Sequence, residues 1–205
     1  MITLHHLRIG RSIFTVWLLE EVGAEYKLEV YHRSPETMRA PIELRNIHPL
    51  GKSPVIEDEG LVLSESGAIT EYVLNKYDPD FSLHPNPANQ SERAQYVQWL
   101  AYAEGSVFAP LLIKMLLLRS GVDHPVMQPF SDAEIALHLG HITNQLGDKA
   151  CILGDELSGA DFGICYMVSM ADRLGLLGEY PELKGYMERM MAREGFQRAV
   201  EKAVE

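Results

Sequence analysis

The most informative stretch of the chain reads Asn46-Ile47-His48-Pro49-Leu50-Gly51-Lys52-Ser53-Pro54-Val55, and Glu65-Ser66 follows ten residues after Val55. The first part is a polar loop that leads into an apolar strand through Pro54. Because proline fixes φ and has no backbone N–H, the backbone groups beside it stay available for a partner outside the sheet. Glu65-Ser66 opens a helix, whose N-terminus offers N–H groups to an anion. The two segments together predict a site for a small, peptide-like anion.

The composition is that of a globular protein without a polyanionic partner. Of its 205 residues, 46% are hydrophobic and 23% are charged, enough for one large domain or two small ones. The net charge of −11 repels nucleic acid, so we expect no nucleic-acid partner. No uninterrupted apolar run approaches about 18 residues, which predicts no membrane span.

The cysteine count and the N-terminal sequence bear on the cellular compartment. Cys151 and Cys165 are the two cysteines, too few for a disulfide framework. The start of the chain shows no basic segment followed by a long apolar run, as a secretory signal would. We therefore expect a cytoplasmic protein.

Hydrophobic periodicity divides the chain into a mixed N-terminal part and a helical C-terminal part. Residues 1–78 read as strand, helix and strand, then a short helix, a hairpin and another helix, which predicts a small mixed four-stranded sheet with helices packed on it. A thioredoxin-like domain has this order. Residues 79–89 contain three prolines and no periodicity, and we interpret them as a linker.

Everything from residue 90 to residue 205 has helical periodicity, which predicts an all-helical second domain. A long helix is expected from Gln90 to Arg119. Ser131-Asp132-Ala133-Glu134 and Ser158-Gly159-Ala160-Asp161 each match a capping box, so each is expected to begin a helix.

The loop between the first strand and the first helix carries a cation and a hydroxyl, Arg11 and Ser12. A helix N-terminus, a hydroxyl donor and a nearby cation each lower the pKa of a thiol held beside them. Both residues are therefore candidate catalytic groups for a ligand that reacts through a thiol. The alternative for Ser12 is that it only caps the helix.

The binding candidates also have structural alternatives. Glu65 can accept from an ammonium group, and Ser66 can donate to a carboxylate, but the pair also matches an ordinary helix cap. Lys52 can pair with a ligand carboxylate or only keep its loop solvated. The loop before Val55 can hold a ligand or simply lead rigidly into the strand.

Several segments, in this order and spacing, resemble glutathione transferases of the bacterial and fungal type. The matching segments are His5-His6-Leu7, Arg11-Ser12, Trp17-Leu18-Leu19-Glu20-Glu21, Ala40-Pro41-Ile42-Glu43-Leu44, His48 to Val55, Ser64 to Ile69 and Ser158 to Phe162. The resemblance covers nearly the whole chain.

The resemblance implies a fold and an activity. The fold is an α/β thioredoxin-like N-terminal domain followed by an all-α C-terminal helical bundle, in a homodimer. The activity is conjugation of the glutathione thiolate to a small apolar electrophile, with glutathione as co-substrate and no metal or prosthetic group.

The resemblance also assigns residues to the glutathione site. It implies that the Ser53–Pro54 bond is cis. The backbone of Val55 could then pair with the backbone of the ligand, which would bind like an added β-strand. It assigns Pro54, Val55, Glu65 and Ser66 to glutathione, with Lys52 nearby. Glu104 falls on the helix that lines the site in the family and is the further predicted contact.

One position departs from the family pattern. Relatives carry serine or another polar residue where this chain has Gly10. Glycine has no side-chain donor for sulfur, so Ser12, Arg11 or a backbone N–H would have to stabilise the thiolate. The alternatives are a peroxidase that reduces organic hydroperoxides with glutathione, and a non-catalytic protein that binds glutathione or another partner. Residues 1–150 contain no cysteine, which excludes thiol exchange through a cysteine of the first domain.

Overall fold

A computed structural model describes residues 1–204 of the chain. Its N-terminal part has the strands and helices in the predicted order. The elements are β1 (Ile2–Leu7), α1 (Ser12–Glu21), β2 (Tyr26–Tyr31), α2 (Leu44–Ile47), β3 (Val55–Asp58), β4 (Leu61–Ser64) and α3 (Ser66–Tyr77).

The four strands form one mixed sheet in the order β2-β1-β3-β4. β1 runs parallel to β2 and antiparallel to β3, and β4 is antiparallel to β3. The β3–β4 turn is tight because Glu59 and Gly60 both have positive φ, at 50° and 85°. The fold class predicted for this part of the chain, a mixed four-stranded sheet, is confirmed.

The helix α1 is buried along almost its whole length, from Ser12 to Glu20. It contacts β1 and α3 within the first unit, and it ends where Gly23 takes φ +64°. A second helix covers its remaining side: α9 (Glu194–Ala203), near the end of the chain. Phe196 of α9 packs against the rings of Phe14 and Trp17 at centroid distances of 5.8 and 5.5 Å.

The packing of α9 changes the predicted division of the chain. Contacts group Met1–Ser82 with the segment from Met191 onward into one compact unit, and Leu83–Met190 into a second unit. The sequence assigned all of 90–205 to the helical domain. The difference arises because the apolar face of α9 is buried against α1, a long-range contact that helical periodicity does not reveal.

Two adjacent carboxylates of α1 hold α9 through ion pairs. Glu20 Oε1 accepts from Lys202 Nζ at 2.6 Å and from the Tyr26 hydroxyl at 2.6 Å, and Glu20 Oε2 accepts from Arg198 Nε at 3.1 Å. Glu21 Oε1 accepts from Arg193 Nε at 2.9 Å. Burial opposes ionisation of Glu20, but the hydrogen bonds from Lys202, Tyr26 and Arg198 outweigh it, so the pKa of Glu20 lies below its ordinary value.

Within the residues described, all the regular secondary structure of the second unit is helical. They are α4 (Gln90–Tyr102), a π-helical turn (Ala103–Val107), α5 (Phe108–Ser120), α6 (Met127–Leu146), α7 (Gly159–Arg173) and α8 (Pro181–Met191). The π turn joins α4 to α5 into one long helix. We attribute it to Pro110, which lacks an N–H for Ser106 and crowds that residue's carbonyl, so one wider turn relieves the conflict.

The helix starts in the second unit follow the predictions in part. The capping box of Ser158 and Asp161 begins α7 as expected, and Asp161 also accepts from Ile152 N at 2.8 Å and from the Tyr186 hydroxyl at 2.9 Å. The helix predicted to begin at Ser131 instead begins at Met127. Its first turn contains Pro129, which is tolerated there because the first N–H groups of a helix have no intrahelical acceptor.

The long helix Gln90–Ser120 bears on the expectation of no membrane span. By length and apolar composition alone it could cross a membrane, and most of its apolar window is not buried. The sequence criterion missed this helix because it counted uninterrupted apolar runs, whereas a few polar residues interrupt this one. A single such helix is weak evidence, since core helices of globular proteins have the same length and composition.

Both cysteines, Cys151 and Cys165, are buried, and neither forms a disulfide. Burial raises the pKa of the Cys165 thiol well above its ordinary value, so this side chain behaves as a small apolar group.

We expect Glu20→Gln to lower the free energy of unfolding by about 2 kcal/mol near neutral pH, because charged hydrogen bonds to Lys202 and Arg198 are lost. A carboxylate with a depressed pKa stabilises the fold above its unfolded pKa, and that contribution disappears as the pH falls through the folded pKa. The variant should therefore lose less stability than the wild type on acidification. Urea unfolding at several pH values measures both effects.

Glu194→Gln is the matched control, because Glu194 lies on α9 and contacts the same Arg198 at 3.9 Å while its side chain is 97% exposed. It should leave the unfolding midpoint unchanged. Equal effects of the two variants would contradict a role for Glu20 in holding α9.

Candidate functional site

The Ser53–Pro54 peptide bond is cis, as predicted. Ser53 fixes this bend to the end of β1, since its hydroxyl donates to His5 O at 2.7 Å and accepts from Leu7 N at 3.1 Å. The sequence analysis did not identify Ser53 as a structural residue. The bridge places the proline loop next to the loop that leads from β1 into α1.

The loop before Pro54 turns at Gly51, which has φ +56°. A Cβ at this position would lie 2.7 Å from Cγ of Arg45, so both the backbone conformation and the available space require glycine. Lys52 follows with an exposed side chain. An exposed ammonium beside the proline is compatible with either alternative given for Lys52, so its contact with a ligand stays a prediction.

Val55 is the first residue of β3, and its side chain is fully buried. In the sheet register it lies opposite Ser64 of β4 and opposite His5 of β1. Only its main chain could meet a ligand, as the strand-like pairing predicts. Because Ser64 directly precedes Glu65, the register also brings the two segments of the opening stretch side by side.

Glu65 is exposed and occupies the N-cap position of α3 with φ +73°. Its carbonyl accepts the first helical bond, from Ile69 N at 2.9 Å, but its side chain makes no capping hydrogen bond. Glu65 therefore does not cap the helix through its carboxylate. A non-glycine residue in this region costs about 1–3 kcal/mol, and such residues concentrate at binding sites.

Ser66 is the first residue of α3 and is partly exposed. Its carbonyl accepts from Thr70 Oγ1 at 2.9 Å. Its position at the N-terminus of a helix is suitable for a carboxylate ligand. The contacts of Glu65 and Ser66 with glutathione stay predictions.

Ser12 fits neither of its two predicted roles. It is 1% exposed, and its hydroxyl lies 2.9 Å from His6 Nδ1, donates to Leu7 O at 3.2 Å and accepts from Leu7 N at 3.1 Å. It does not cap α1, because Arg11 occupies the N-cap position. A hydroxyl held inside the core is not presented to solvent, so the geometry supports a structural role for Ser12 rather than the predicted direct catalytic one.

Arg11 is partly exposed and lies at the start of α1, with αR backbone angles and no side-chain capping bond. The position puts a cation at the positive end of the α1 dipole, where both favour an anion. This arrangement agrees with the chemistry for which Arg11 was selected, and its catalytic role stays a prediction.

Arg33 is a residue of this loop region that the sequence analysis missed. Its guanidinium donates to the carbonyls of Arg8, Ile9 and Met38, at 2.9–3.2 Å. A Cβ added to Gly10 would lie 3.1 Å from Arg33 Nη2. Residues 10 and 33 are far apart in the sequence, and no spacing pattern connects them.

Glu104 lies in the π-helical turn of the second unit. The other predicted site residues all belong to the first unit. The proposed contact between Glu104 and glutathione therefore stays a prediction from the resemblance.

The described part of the chain contains no group of three or more His, Cys, Asp or Glu side chains arranged to hold a metal ion.

Comparison with known proteins identifies the family. The model for the glutathione S-transferase N-terminal domain matches residues 1–75, and the model for the C-terminal domain matches residues 128–194. Glutathione S-transferase 3 of Schizosaccharomyces pombe is 30% identical, with 98% of this chain and 88% of that protein covered.

Solved structures agree with this result. A crystal structure of a glutathione S-transferase from Actinobacillus pleuropneumoniae superposes with a TM-score of 0.91 at 33% identity, covering 99% of this chain and 93% of that one. A glutathione transferase homologue from Lodderomyces elongisporus, solved with two GSH per subunit, shares the fold with a TM-score of 0.82 at 19% identity, covering 98% and 97%. The chain belongs to the glutathione S-transferase family.

Proposed function

We propose that this protein is a glutathione transferase that joins the glutathione thiolate to small hydrophobic electrophiles. The observation that carries the proposal is the register of β3 and β4, in which Val55 lies opposite Ser64, two residues before the start of α3. The Val55 main chain at the start of β3, an exposed carboxylate at Glu65 and a helix N-terminus match the peptide, ammonium and carboxylate groups of a γ-glutamyl tripeptide.

Binding is proposed to use both ends of the tripeptide. The γ-glutamyl ammonium would pair with Glu65, and its carboxylate would accept from Ser66 and the first N–H groups of α3. The cysteinyl backbone would pair with Val55. Lys52 would attract the glycyl carboxylate, and Glu104 is kept as a predicted contact of glutathione. The structure from L. elongisporus, solved with two GSH per subunit, supports glutathione as the ligand of this fold.

Activation of the thiol is proposed to depend on the loop before α1. With Ser12 buried and Gly10 lacking a side chain, the donors left are backbone N–H groups at the start of α1 and the Arg11 cation. Both stabilise a thiolate relative to a thiol. The thiol proton is released to solvent, the sulfur forms a bond to an electrophilic carbon, and a leaving group such as chloride departs with the bonding electron pair.

The family relationship also supports the remaining sequence predictions, which we keep as part of this proposal. They are a cytoplasmic homodimer and a reaction that requires no metal or prosthetic group. Light scattering after size-exclusion chromatography tests the homodimer.

The wild-type protein should bind glutathione in isothermal titration and release chloride from 1-chloro-2,4-dinitrobenzene with formation of the thioether. Cumene hydroperoxide tests the peroxidase alternative. In that reaction the thiolate attacks the peroxide oxygen and breaks the O–O bond, which gives the glutathione sulfenic acid and, after protonation, the alcohol; a second glutathione then forms the disulfide and releases water. If the protein turns over the hydroperoxide but not the aryl halide, peroxide reduction would replace conjugation as the proposed reaction. Binding without either activity would favour the non-catalytic alternative, and no binding would contradict all three.

Glu65→Gln should raise the dissociation constant of glutathione about tenfold, because a charge-assisted hydrogen bond to the ligand ammonium is lost. Glu59→Gln is the matched control, since Glu59 is also an exposed acid with positive φ in the same unit. Isothermal titration of both variants measures the difference. An unchanged constant for Glu65→Gln would remove this residue from the site.

Ser12→Ala should lower the free energy of unfolding by about 1 kcal/mol, because the buried Leu7 backbone loses a partner. The pKa of the glutathione thiol in the complex should stay as in the wild type, since the hydroxyl does not reach the ligand. Titration of the ultraviolet absorbance of the thiolate against pH gives the pKa, and urea denaturation gives the stability. A raised thiol pKa at unchanged stability would restore Ser12 as a catalytic residue.

A further inference from the structure

We infer that the Ser53 hydroxyl controls the affinity for glutathione by fixing the proline loop, residues 48–54, to the end of β1. The inference rests on the proposed function, in which the segment that follows this loop meets the backbone of the ligand. Ser53 is a positioning residue in this account, because its hydroxyl acts through the loop. It keeps the loop in its binding conformation before glutathione arrives, so that less ordering is needed on binding.

The first observation is the place where the pairing of β1 with β3 stops. The pairing ends at Val55, opposite His5, whereas β1 continues to Leu7. If the same register continued, Pro54 and then Ser53 would be the next residues opposite β1. Proline has no N–H to donate, so the main-chain ladder does not continue through it. The end of β1 therefore needs another partner.

The Ser53 side chain takes the place of main-chain pairing at this end of β1. In a strand, the main-chain groups of alternate residues point to the same side, so His5 and Leu7 both present theirs to the proline loop. The Ser53 hydroxyl donates to His5 O at 2.7 Å and accepts from Leu7 N at 3.1 Å. Both distances lie in the usual range of hydrogen bonds. One side chain thus ties the loop to two positions of β1.

A second side chain holds the other end of the loop. His48 Nδ1 accepts from Leu50 N at 3.4 Å, and His48 Nε2 lies 3.4 Å from Oγ of Ser64, the last residue of β4. These distances are longer than those at Ser53, so the bonds are weaker. The loop is therefore held between β1 and β4, and its firmer attachment is the one at Ser53.

The hydroxyl of Ser53 can be removed without leaving a buried donor unpaired. Leu7 N also donates to the buried Ser12 hydroxyl at 3.1 Å, and it keeps this partner when Ser53 loses its own hydroxyl. An unpaired buried group is what makes the loss of a hydrogen bond costly to stability. Loss of the Ser53 hydroxyl should therefore loosen the loop more than it weakens the fold.

The test measures glutathione binding by isothermal titration for the wild type, Ser53→Ala, Ser53→Val and Ser53→Thr. The Ala and Val variants should raise the dissociation constant about tenfold, which corresponds to ordering about one residue of backbone on binding. Threonine and valine have nearly the same shape and differ in the hydroxyl, so Ser53→Thr should bind nearly as the wild type does. The midpoint of urea unfolding should stay close to the wild-type value in all three variants.

The matched control is Ser34→Ala. The Ser34 hydroxyl also donates to one oxygen, Glu36 Oε2 at 2.8 Å, and accepts from one main-chain N–H, Thr37 N at 3.2 Å, but it lies in the loop after β2. This variant should leave the dissociation constant of glutathione unchanged.

Steady-state kinetics separate positioning from a general loss of fold. With 1-chloro-2,4-dinitrobenzene as the electrophile, Ser53→Ala should raise the KM for glutathione about tenfold and change kcat by less than about twofold, because the bound loop regains its wild-type position. A variant with a smaller folded fraction would instead lose kcat at an unchanged KM.

The outcomes distinguish the proposed function from this inference. Wild-type protein that does not bind glutathione would overturn both. A wild type that binds, with an unchanged dissociation constant in Ser53→Ala and Ser53→Val, would overturn the inference alone. Equally weak binding by Ser53→Thr and Ser53→Val would also overturn it, since the hydroxyl would then not be responsible. A Ser53→Ala variant that does not fold would contradict it too, because Leu7 N keeps its second partner.

Discussion

The arrangement of the candidate site depends on the bridge that Ser53 forms between the proline bend and the end of β1. One hydroxyl accepts from Leu7 N and donates to His5 O, so the loop before β3 and the loop before α1 are fixed to each other. Leu7 in turn bonds to the buried Ser12 of α1. The proline loop and the start of α1 thereby converge on the last residues of β1, and the position of each depends on the other.

The site is built mainly from backbone, and its geometry is maintained by unusual conformations. Ile9, Glu65 and Gly51 all have positive φ, and the Ser53–Pro54 bond is cis. Backbone groups in such conformations point in directions that regular strands and helices do not offer. The side chains of Arg33 and Ser53 hydrogen-bond to backbone groups of these segments and hold them in place. The backbone N–H groups of the loop at Gly10 therefore have fixed positions although residue 10 has no side chain.

The sequence was sufficient for features that depend on local pattern. Alternation and helical periodicity predicted the strands and helices of the first unit, and Asp58-Glu59-Gly60 predicted the hairpin between β3 and β4. The Pro54 loop and Glu65-Ser66 indicated the family, because the order and spacing of such motifs can be recognised from the sequence alone. The capping box at Ser158 was predictable for the same reason, since its two residues lie one helical turn apart.

Only the tertiary structure decided the features that depend on distant residues. Ser12 looked available as a cap or a catalytic group, yet packing of α1 against the sheet and α9 buries its hydroxyl beside His6. Arg33 reaches Gly10, and α9 joins the first unit through Glu20 and Glu21, although nothing in the linear pattern connects these positions. The physical reason is that periodicity records which face of an element is apolar, whereas which residue covers that face is determined when the whole chain packs.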